Sequence, residues 1–444
     1  MMTNTPKNSL ERMATTSVWL FLDRTIRLVL GFVVSIFVAR HYGPGEWGAL
    51  SYVMASAILF GSIASAGSEN LIVRDLTKCD SEQGRADIQK TALVLRLGFG
   101  ALAYLSLLVV VVATQGFGLP LLLAMVYGLI FIFQASEVWE YRLRIEHRLP
   151  VVAKTHVWSS VLSSALKIIS ILLGWPLICI AGAMSAEYAS SLGILARYRA
   201  RHWSAWVGKF QADYARTLLT GSLLVMFSSF LIACQSRSEF YLINHFLGLE
   251  AVGLYAAAFK CMEVVDVLVL VFTMTLVPEL SKRHHLELPI LASRTYLLGI
   301  LFYVVMLVPI ALIYFLFPWV YGAKYHSAQV LIPWLAFRPF FIVLGAIRGI
   351  FLVMEGRLRY VPVCAAVGLV STVIAGSFLI PALGLEGAAI SGLIGLAISN
   401  FVMDIFFQPQ NIARMFTSYR QWPYAVRRCL EVLKLRNTHA SSKE

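Results

Sequence analysis

The chain has 444 residues, 59% of them hydrophobic and 14% charged, with a formal net charge of +13. A soluble protein of this length needs far more polar surface, and apolar runs of about 20 residues, the length a helix needs to cross about 30 Å of hydrocarbon, recur from end to end. Membrane β-barrels show short period-two segments instead, so the fold class is an all-α polytopic membrane protein.

After a short tail (1–16), the first apolar stretch, 17–40, reads SVWLFLDRTIRLVLGFVVSIFVAR and carries Asp23, Arg24 and Arg27 in its first half. Charges interrupt it and no small-residue cleavage site follows, so it reads as a span and not as a cleavable signal. Eleven further spans follow at 47–72, 91–113, 119–141, 155–174, 176–196, 218–245, 252–278, 295–317, 329–353, 360–381 and 386–408, making twelve. Gly and Pro mark the breaks, as at Gly43-Pro44-Gly45, Gly174-Trp175-Pro176 and Phe317-Pro318.

With both termini placed in the cytoplasm, 27 of the 37 Lys and Arg residues fall in cytoplasmic tails and loops, and only Arg40 and Lys324 fall outside. This bias follows the positive-inside rule. A basic surface facing the anionic inner leaflet accounts for the net charge without nucleic acid. The external loops are short, which places the activity within the membrane. The tail after Pro409 is basic, with Tyr419, Trp422 and Tyr424 interleaved. It reads either as an interfacial helix on the inner leaflet or as a partly disordered tail. The six cysteines (79, 179, 234, 261, 364 and 429) form no CxxC and no Cys/His cluster. They read as apolar fillers, and no cofactor is expected.

The two halves resemble each other. YGPGEWG, with Gly43 and Gly48, meets LGLEAVG, with Gly248 and Gly253, at a shift of 205 residues. Gly182 and Gly387 repeat that shift, and EHRLPV at 146–151 meets EGRLRY at 355–360 at a shift of 209. An even repeat of six spans enters the membrane in the same direction each time, so two lobes related by a pseudo-two-fold axis along the membrane normal are expected. The domain reading is a cytoplasmic tail (1–16), an N-lobe (17–196), a linker (197–217), a C-lobe (218–408) and a basic tail (409–444).

Eight basic residues lie inside spans: Arg24, Arg27, Arg96, Lys167, Arg237, Lys260, Arg338 and Arg348. Eight acids join them: Asp23, Glu69, Glu137, Glu187, Glu239, Glu263, Asp266 and Asp404, with Glu140 at an edge. At roughly 2.5–3.5 kcal/mol each, sixteen unrelieved charges would cost about 40–55 kcal/mol, so they must pair, reach an interface or face water. Asp23 and Arg27 are i,i+4 neighbours, and Lys260 and Glu263 are i,i+3 neighbours. Ser160, Ser163, Ser164, Lys167 and Ser170 form one polar stripe; Ser62, Ser65 and Glu69 form another. Arg96 is expected to snorkel to the inner interface. Asp23 with Arg27 and Lys260 with Glu263 read either as structural pairs or as cavity residues, whereas Lys167, Arg237, Arg338 and Arg348, deeper in apolar sequence, are expected to line a hydrated cavity between the lobes, with Arg24 or Arg27 adding positive charge there.

LDRTIRLVLGFVVSIFVARHYGPGEWGALSY, QSRSEFYLINHFLGLEAVGLYAAAFK and TLVPELSK resemble segments of the lipid-linked oligosaccharide flippases. These form the polysaccharide-transporter branch of the multidrug/oligosaccharidyl-lipid/polysaccharide exporter superfamily, and the resemblance covers roughly residues 15–408. It implies a V-shaped pair of six-helix bundles working by alternating access. The implied substrate is a polyprenyl-diphosphate-linked O-antigen or exopolysaccharide repeat unit, turned from the cytoplasmic to the periplasmic leaflet of a bacterial inner membrane.

The implied substrate-binding residues are Arg24, Arg27, Lys167, Arg237, Lys260, Arg338 and Arg348, since a diphosphate in hydrocarbon needs cationic partners. The implied partners are the glycan lipid, membrane lipids, H+ or Na+ as coupling ion, and the polysaccharide polymerase or ligase machinery. Acids able to change protonation are Asp23, Glu69, Glu137, Glu239 and Glu263. A multidrug exporter of organic cations, with the same architecture, is the alternative. A membrane glycosyltransferase or polymerase is a weaker one, because the external loops are short and hold no metal-ligand or phosphate-loop motif. A lipid scaffold without transport is the third.

Overall fold

The computed structural model describes residues 6–203, 208–282, 288–357, 359–407 and 409–423, with side chains in the first helix described from Arg27 onward. The described chain is helical, and it divides into two compact units, residues 1–256 and 257–444. Unit 1 holds α1 (Pro6–Ala64), α2 (Glu69–Lys78), α3 (Glu82–Gln115), α4 (Leu119–Tyr127), α5 (Ile130–Phe133), α6 (Glu137–Ile145), α7 (Leu149–Leu172), α8 (Ile178–His202) and the first part of α9 (Ala212–Lys282). Unit 2 holds the rest of α9, then α10 (Leu288–Tyr321), α11 (Leu331–Leu335), α12 (Arg338–Met354), α13 (Tyr360–Leu383), α14 (Leu385–Ala397), α15 (Met403–Phe407) and α16 (Pro409–Phe416).

Among the described residues, nine helices are long and apolar enough to cross a membrane, or ten with the pair Ala323–Leu335 and Arg338–Met354, bent by 41°. The twelve sequence spans map onto these helices with ends that differ by a few residues; the span 155–174 runs past Leu172 and the span 176–196 begins before Ile178. The counts differ because α1 and α9 each carry two spans. At 59 residues α1 would measure about 90 Å if straight, roughly three bilayer cores. It breaks instead at Gly43 (φ 78°, ψ 176°), and α9 breaks at Gly248 (φ 82°, ψ 179°). One residue at positive φ turns the chain without a loop, and glycine takes that conformation without a Cβ penalty. Pro44 then occupies the first position of the new helix, where its missing N–H costs nothing.

The second span ends earlier than its sequence suggests. Ala66 (φ 52°) and Gly67 (φ 58°) terminate α1, and α2 starts afresh at Glu69. Glu69 therefore does not continue a helical stripe from Ser62 and Ser65. A Cβ at Gly67 would sit 2.7 Å from the Met226 nitrogen, so α9 passes directly against this break.

In unit 1 one core joins Ile72, Leu76, Ala92, Val138, Tyr141 and Leu218. In unit 2 the core joins Val269, Ala292, Tyr296, Val343, Leu344, Ile347 and Phe351. Large apolar side chains such as Leu172, Val308 and Phe378 stand exposed, as lipid-facing positions must. The serine stripe on α7 is buried. Ser163 donates to the Ala183 carbonyl of α8 (2.8 Å) and Ser170 to its own helix at Leu166 (2.8 Å), so the stripe is a helix-packing face. The tail is helical over α16, and residues 424–444, including Tyr424, lie outside the described residues.

Candidate functional site

A cavity of about 80 Å³ lies inside unit 1, walled by α1, α6, α7, α8 and the turn preceding α6. Its making begins at residues 134–136, where the chain tightens into a 3₁₀ turn before α6. That turn and the helix after it bring Gln134, Glu137 and Glu140, spaced by three, onto the cavity wall. His156 and Ser159, also three apart, face it from α7, and Glu187, Tyr188 and Ser191 from α8. Arg27 enters from α1, the first span.

Two of the acids here, Glu140 and Glu137, have close basic partners. His156 Nε2 lies 2.8 Å from Glu140 Oε1, and Glu140 is buried. Glu137 accepts from Arg96 Nη1 at 2.8 Å. Arg96 also donates to the Gln134 carbonyl (3.3 Å) and lies 5.4 Å from the Tyr141 ring centroid. With 3% of its surface exposed, Arg96 does not snorkel to an interface. A carboxylate on the neighbouring helix holds it inside, and that removes the drive to reach water. Ser159 Oγ is buried and makes no hydrogen bond among the described residues. A polar hydroxyl left so in a polar cavity invites water or a small cation. The volume suits a few such guests and is well below that of a pocket for an organic ligand.

The other sequence candidates are dispersed. Lys167 is buried on α7 within the serine stripe. Arg237, on α9, lies 5.7 Å from the Phe240 ring centroid, and Glu239 beside it is buried. In unit 2, Lys260 pairs with Glu263 at 2.8 Å, as the i,i+3 spacing suggests. Arg338 Nε pairs with Asp266 at 3.2 Å and its guanidinium sits 4.4 Å over Phe259. Arg348 donates to the Ser399 carbonyl and to Asp404 Oδ1 at 3.3 Å. Ser399 belongs to a π-helical turn (Ile398–Val402), whose altered spacing frees carbonyls from the helical ladder. Glu69 is half-exposed, pairs with Arg144 and is not among the residues that line the unit 1 cavity. Asp23 and Arg24 lie outside the residues whose side chains are described.

The sequence reading missed His156 and gave no role to Glu140 and Glu187. The three-residue spacing of Gln134, Glu137 and Glu140 is a signal for Glu140, and that of His156 and Ser159 is one for His156. A second uncounted feature is Arg142. It is buried, pairs with Glu82 and Glu146 (2.7 Å) and lies 4.3 Å from the Trp203 ring centroid.

The fold is that of solved transporters. A multidrug resistance MATE family transporter of the exporter superfamily, in its inward-facing conformation, matches with a TM-score of 0.70 at 18% identity, over 91% of this chain and 99% of that one. An outward-facing conformation of such a transporter matches at 0.63 and 19% identity, over 91% and 96%. A lipid II flippase in an inward closed conformation matches at 0.62 and 12% identity, over 92% and 91%. None of the curated proteins matches the chain. A family model described as "polysaccharide biosynthesis protein" matches residues 14–284, more than half of the sequence, and so this chain belongs to the polysaccharide biosynthesis protein family, with the fold of the exporter superfamily.

Proposed function

We infer that this protein is a flippase for a polyprenyl-diphosphate-linked oligosaccharide repeat unit. It carries the headgroup from the cytoplasmic to the periplasmic leaflet of a bacterial inner membrane by alternating access, with both termini cytoplasmic. The observation that carries this reading is the union of a polysaccharide biosynthesis family with a transporter fold whose spans hold buried arginines. Polymerisation of a lipid-linked glycan outside the membrane requires that its headgroup cross first. Solved transporters of this fold in inward- and outward-facing conformations support alternating access.

The paired state of Arg338 and Arg348 fits this task. A guanidinium held by one carboxylate within a membrane is nearly neutral and tolerable. A diphosphate offers the same planar fork more charge and more acceptors, so it can take the place of Asp266 or Asp404 as partner. Arg24, Arg27, Lys167, Arg237 and Lys260 complete the proposed cationic path. The unit 1 cavity is too small for a glycan in this state, and we assign it to the coupling ion, H+ or Na+, at Glu137 and its neighbours. Asp23, Glu69, Glu239 and Glu263 remain proposed alternatives for that role.

The test is deletion of the gene, followed by identification of the lipid-linked repeat unit that accumulates on the inner leaflet. Complementation with Arg27→Ala, Arg237→Ala, Arg338→Ala and Arg348→Ala should reduce export while insertion stays intact. Wild-type export from all four would assign those arginines to structure alone. A second reading, export of organic cations, draws on the three carboxylates Glu137, Glu140 and Glu187 in the cavity. Binding of a polyprenyl diphosphate against binding of ethidium separates the two.

A further inference from the structure

The repeated turns EHRL (146–149) and EGRL (355–358) each carry an acid two residues before an arginine, 209 positions from copy to copy. The two copies use these charges differently. In unit 2, Arg357 stays beside its own acid, with Nε 3.9 Å from Glu355 Oε2. In unit 1 the matching acid is already engaged. Glu146 accepts from Arg142 Nε at 2.7 Å and from Trp203 Nε1 at 3.4 Å. Arg148 turns instead to the hydroxyl of Tyr198, near the end of α8, and donates to it. Among the described residues its side chain hydrogen-bonds to this acceptor alone, and a phenol is neutral. The exposed guanidinium of Arg148 therefore keeps its charge.

More positive charge gathers at the same place. Tyr198 packs against the cluster of Trp139, Leu143, Val152, Leu195 and Trp203, and His202 stacks on its ring with centroids 4.1 Å apart. The Arg199 guanidinium lies 5.3 Å from the Trp139 ring centroid of that cluster. Val151 packs against the cluster too, and three residues on along α7 Lys154 is exposed. The acids closest in sequence and space, Glu82 and Glu146, are both spent on Arg142.

The hydrocarbon-facing surface starts directly beside these cations. On α7 the exposed Trp158 follows Lys154 by four residues, and on α8 the exposed Ile194 precedes Tyr198 by four. Four residues are about 6 Å along a helix axis. The cations thus stand about one helical turn beyond apolar side chains that face lipid, at the depth where headgroups replace acyl chains. Lys, Arg, Tyr and Trp are the side chains that settle there.

We propose that Arg148, with Lys154 and Arg199, forms a binding site for the phosphate group of an anionic membrane lipid. A phosphate offers the Arg148 fork two charged acceptors where Tyr198 offers one neutral oxygen, so the guanidinium exchanges the phenol for the lipid. The acyl chains then lie along Trp158 and Ile194. Arg148 belongs to the turn before α7 and Arg199 to α8, so a lipid held by both fastens these two helices from outside. The site requires only that the chain span a membrane, and it stands apart from the identity of the transported headgroup.

The test is native mass spectrometry on the full chain in neutral detergent, titrated with phosphatidylglycerol, phosphatidylcholine or a polyprenyl diphosphate without sugar. The first phosphatidylglycerol should bind about tenfold more tightly than phosphatidylcholine, and Arg148→Gln should cut that preference about fivefold. Arg357→Gln, whose arginine keeps its acid, should leave it unchanged. If Arg148→Gln does not fold, the exposed-site variant Lys154→Gln replaces it, with a loss of about threefold expected. Equal binding of the two phospholipids overturns the site, and so does a preference that no variant at Arg148 or Lys154 moves. Displacement of phosphatidylglycerol by equimolar polyprenyl diphosphate assigns the site to the diphosphate lipid, and persistence assigns it to the phospholipid; both outcomes support a phosphate site at Arg148.

Discussion

Removing Glu137 should cost far more than removing the arginine it holds. Arg96 is 3% exposed, donates to Glu137 at 2.8 Å and to the Gln134 carbonyl at 3.3 Å, and lies beside the Tyr141 ring. Glu137→Ala strands a buried cation on one neutral carbonyl and one ring face. Breaking a buried pair from one side typically costs about 3–5 kcal/mol, or about two to four powers of ten in the folded fraction. Arg96→Met leaves the carboxylate behind, but Glu137 keeps 27% of its side chain exposed and borders the cavity, where water can solvate it. That loss should stay near 1–2 kcal/mol, the scale of one charged hydrogen bond. The double variant should recover most of the Glu137→Ala loss, since no charge is then stranded. Unfolding in detergent micelles, run as a double-mutant cycle, reads all three. Equal costs for Glu137→Ala and Arg96→Met, or a double variant worse than either, would refute the argument that burial of the cation sets the energy.

Arg142→Lys should destabilise the protein by about 2–3 kcal/mol despite keeping the charge, because an ammonium cannot hold Glu82 and Glu146 while lying flat on Trp203; thermal unfolding in micelles checks it, and a cost under about 0.5 kcal/mol would show the stacking to be incidental. Arg348→Met should destabilise more than Asp404→Asn in the same assay. The first strands both a buried carboxylate and the Ser399 carbonyl, whereas the second leaves Arg348 its carbonyl partner and an amide oxygen.

Local patterns carried well from sequence to structure, and long-range partners did not. The repeat was legible because turns need particular residues. Gly43 and Gly248 share one backbone conformation. The EHRL and EGRL segments close their helices alike. His147 (φ 57°) and Gly356 (φ 70°) are both left-handed, and Arg148 and Arg357 N–H groups return to the Leu143 and Leu352 carbonyls, at 2.8 and 2.9 Å. Residues 143 and 352 are 209 apart, the shift read from the sequence. The pair Lys260–Glu263 was legible for the same local reason. By contrast Arg96 meets Glu137 across 41 positions, Arg348 meets Asp404 across 56 and Arg338 meets Asp266 across 72. Helical periodicity says which way a side chain points but not which helix stands opposite. Arg96 therefore looked like a residue bound for the interface, and His156 looked like nothing at all.

These pairs also change how the membrane charges should be understood. Counted singly, they demand a wet passage. Counted as placed, more than half of the sixteen stand in ion pairs: Arg96 with Glu137, Lys260 with Glu263, Arg338 with Asp266 and Arg348 with Asp404, all within 3.3 Å, and Glu69 with Arg144. Pairing cancels the net charge but not the cost of desolvation, and a matched apolar pair of side chains would commonly be as stable or more so. Stability alone therefore does not explain why such pairs sit in membrane helices. Under the proposed function an exchangeable partner would: an arginine held by one carboxylate could be released to a diphosphate and recaptured afterwards without ever facing hydrocarbon alone. On that proposal the unit 2 pairs would be resting contacts of a binding surface, and each acid would matter as much as its arginine, because it would set how readily the guest is given up.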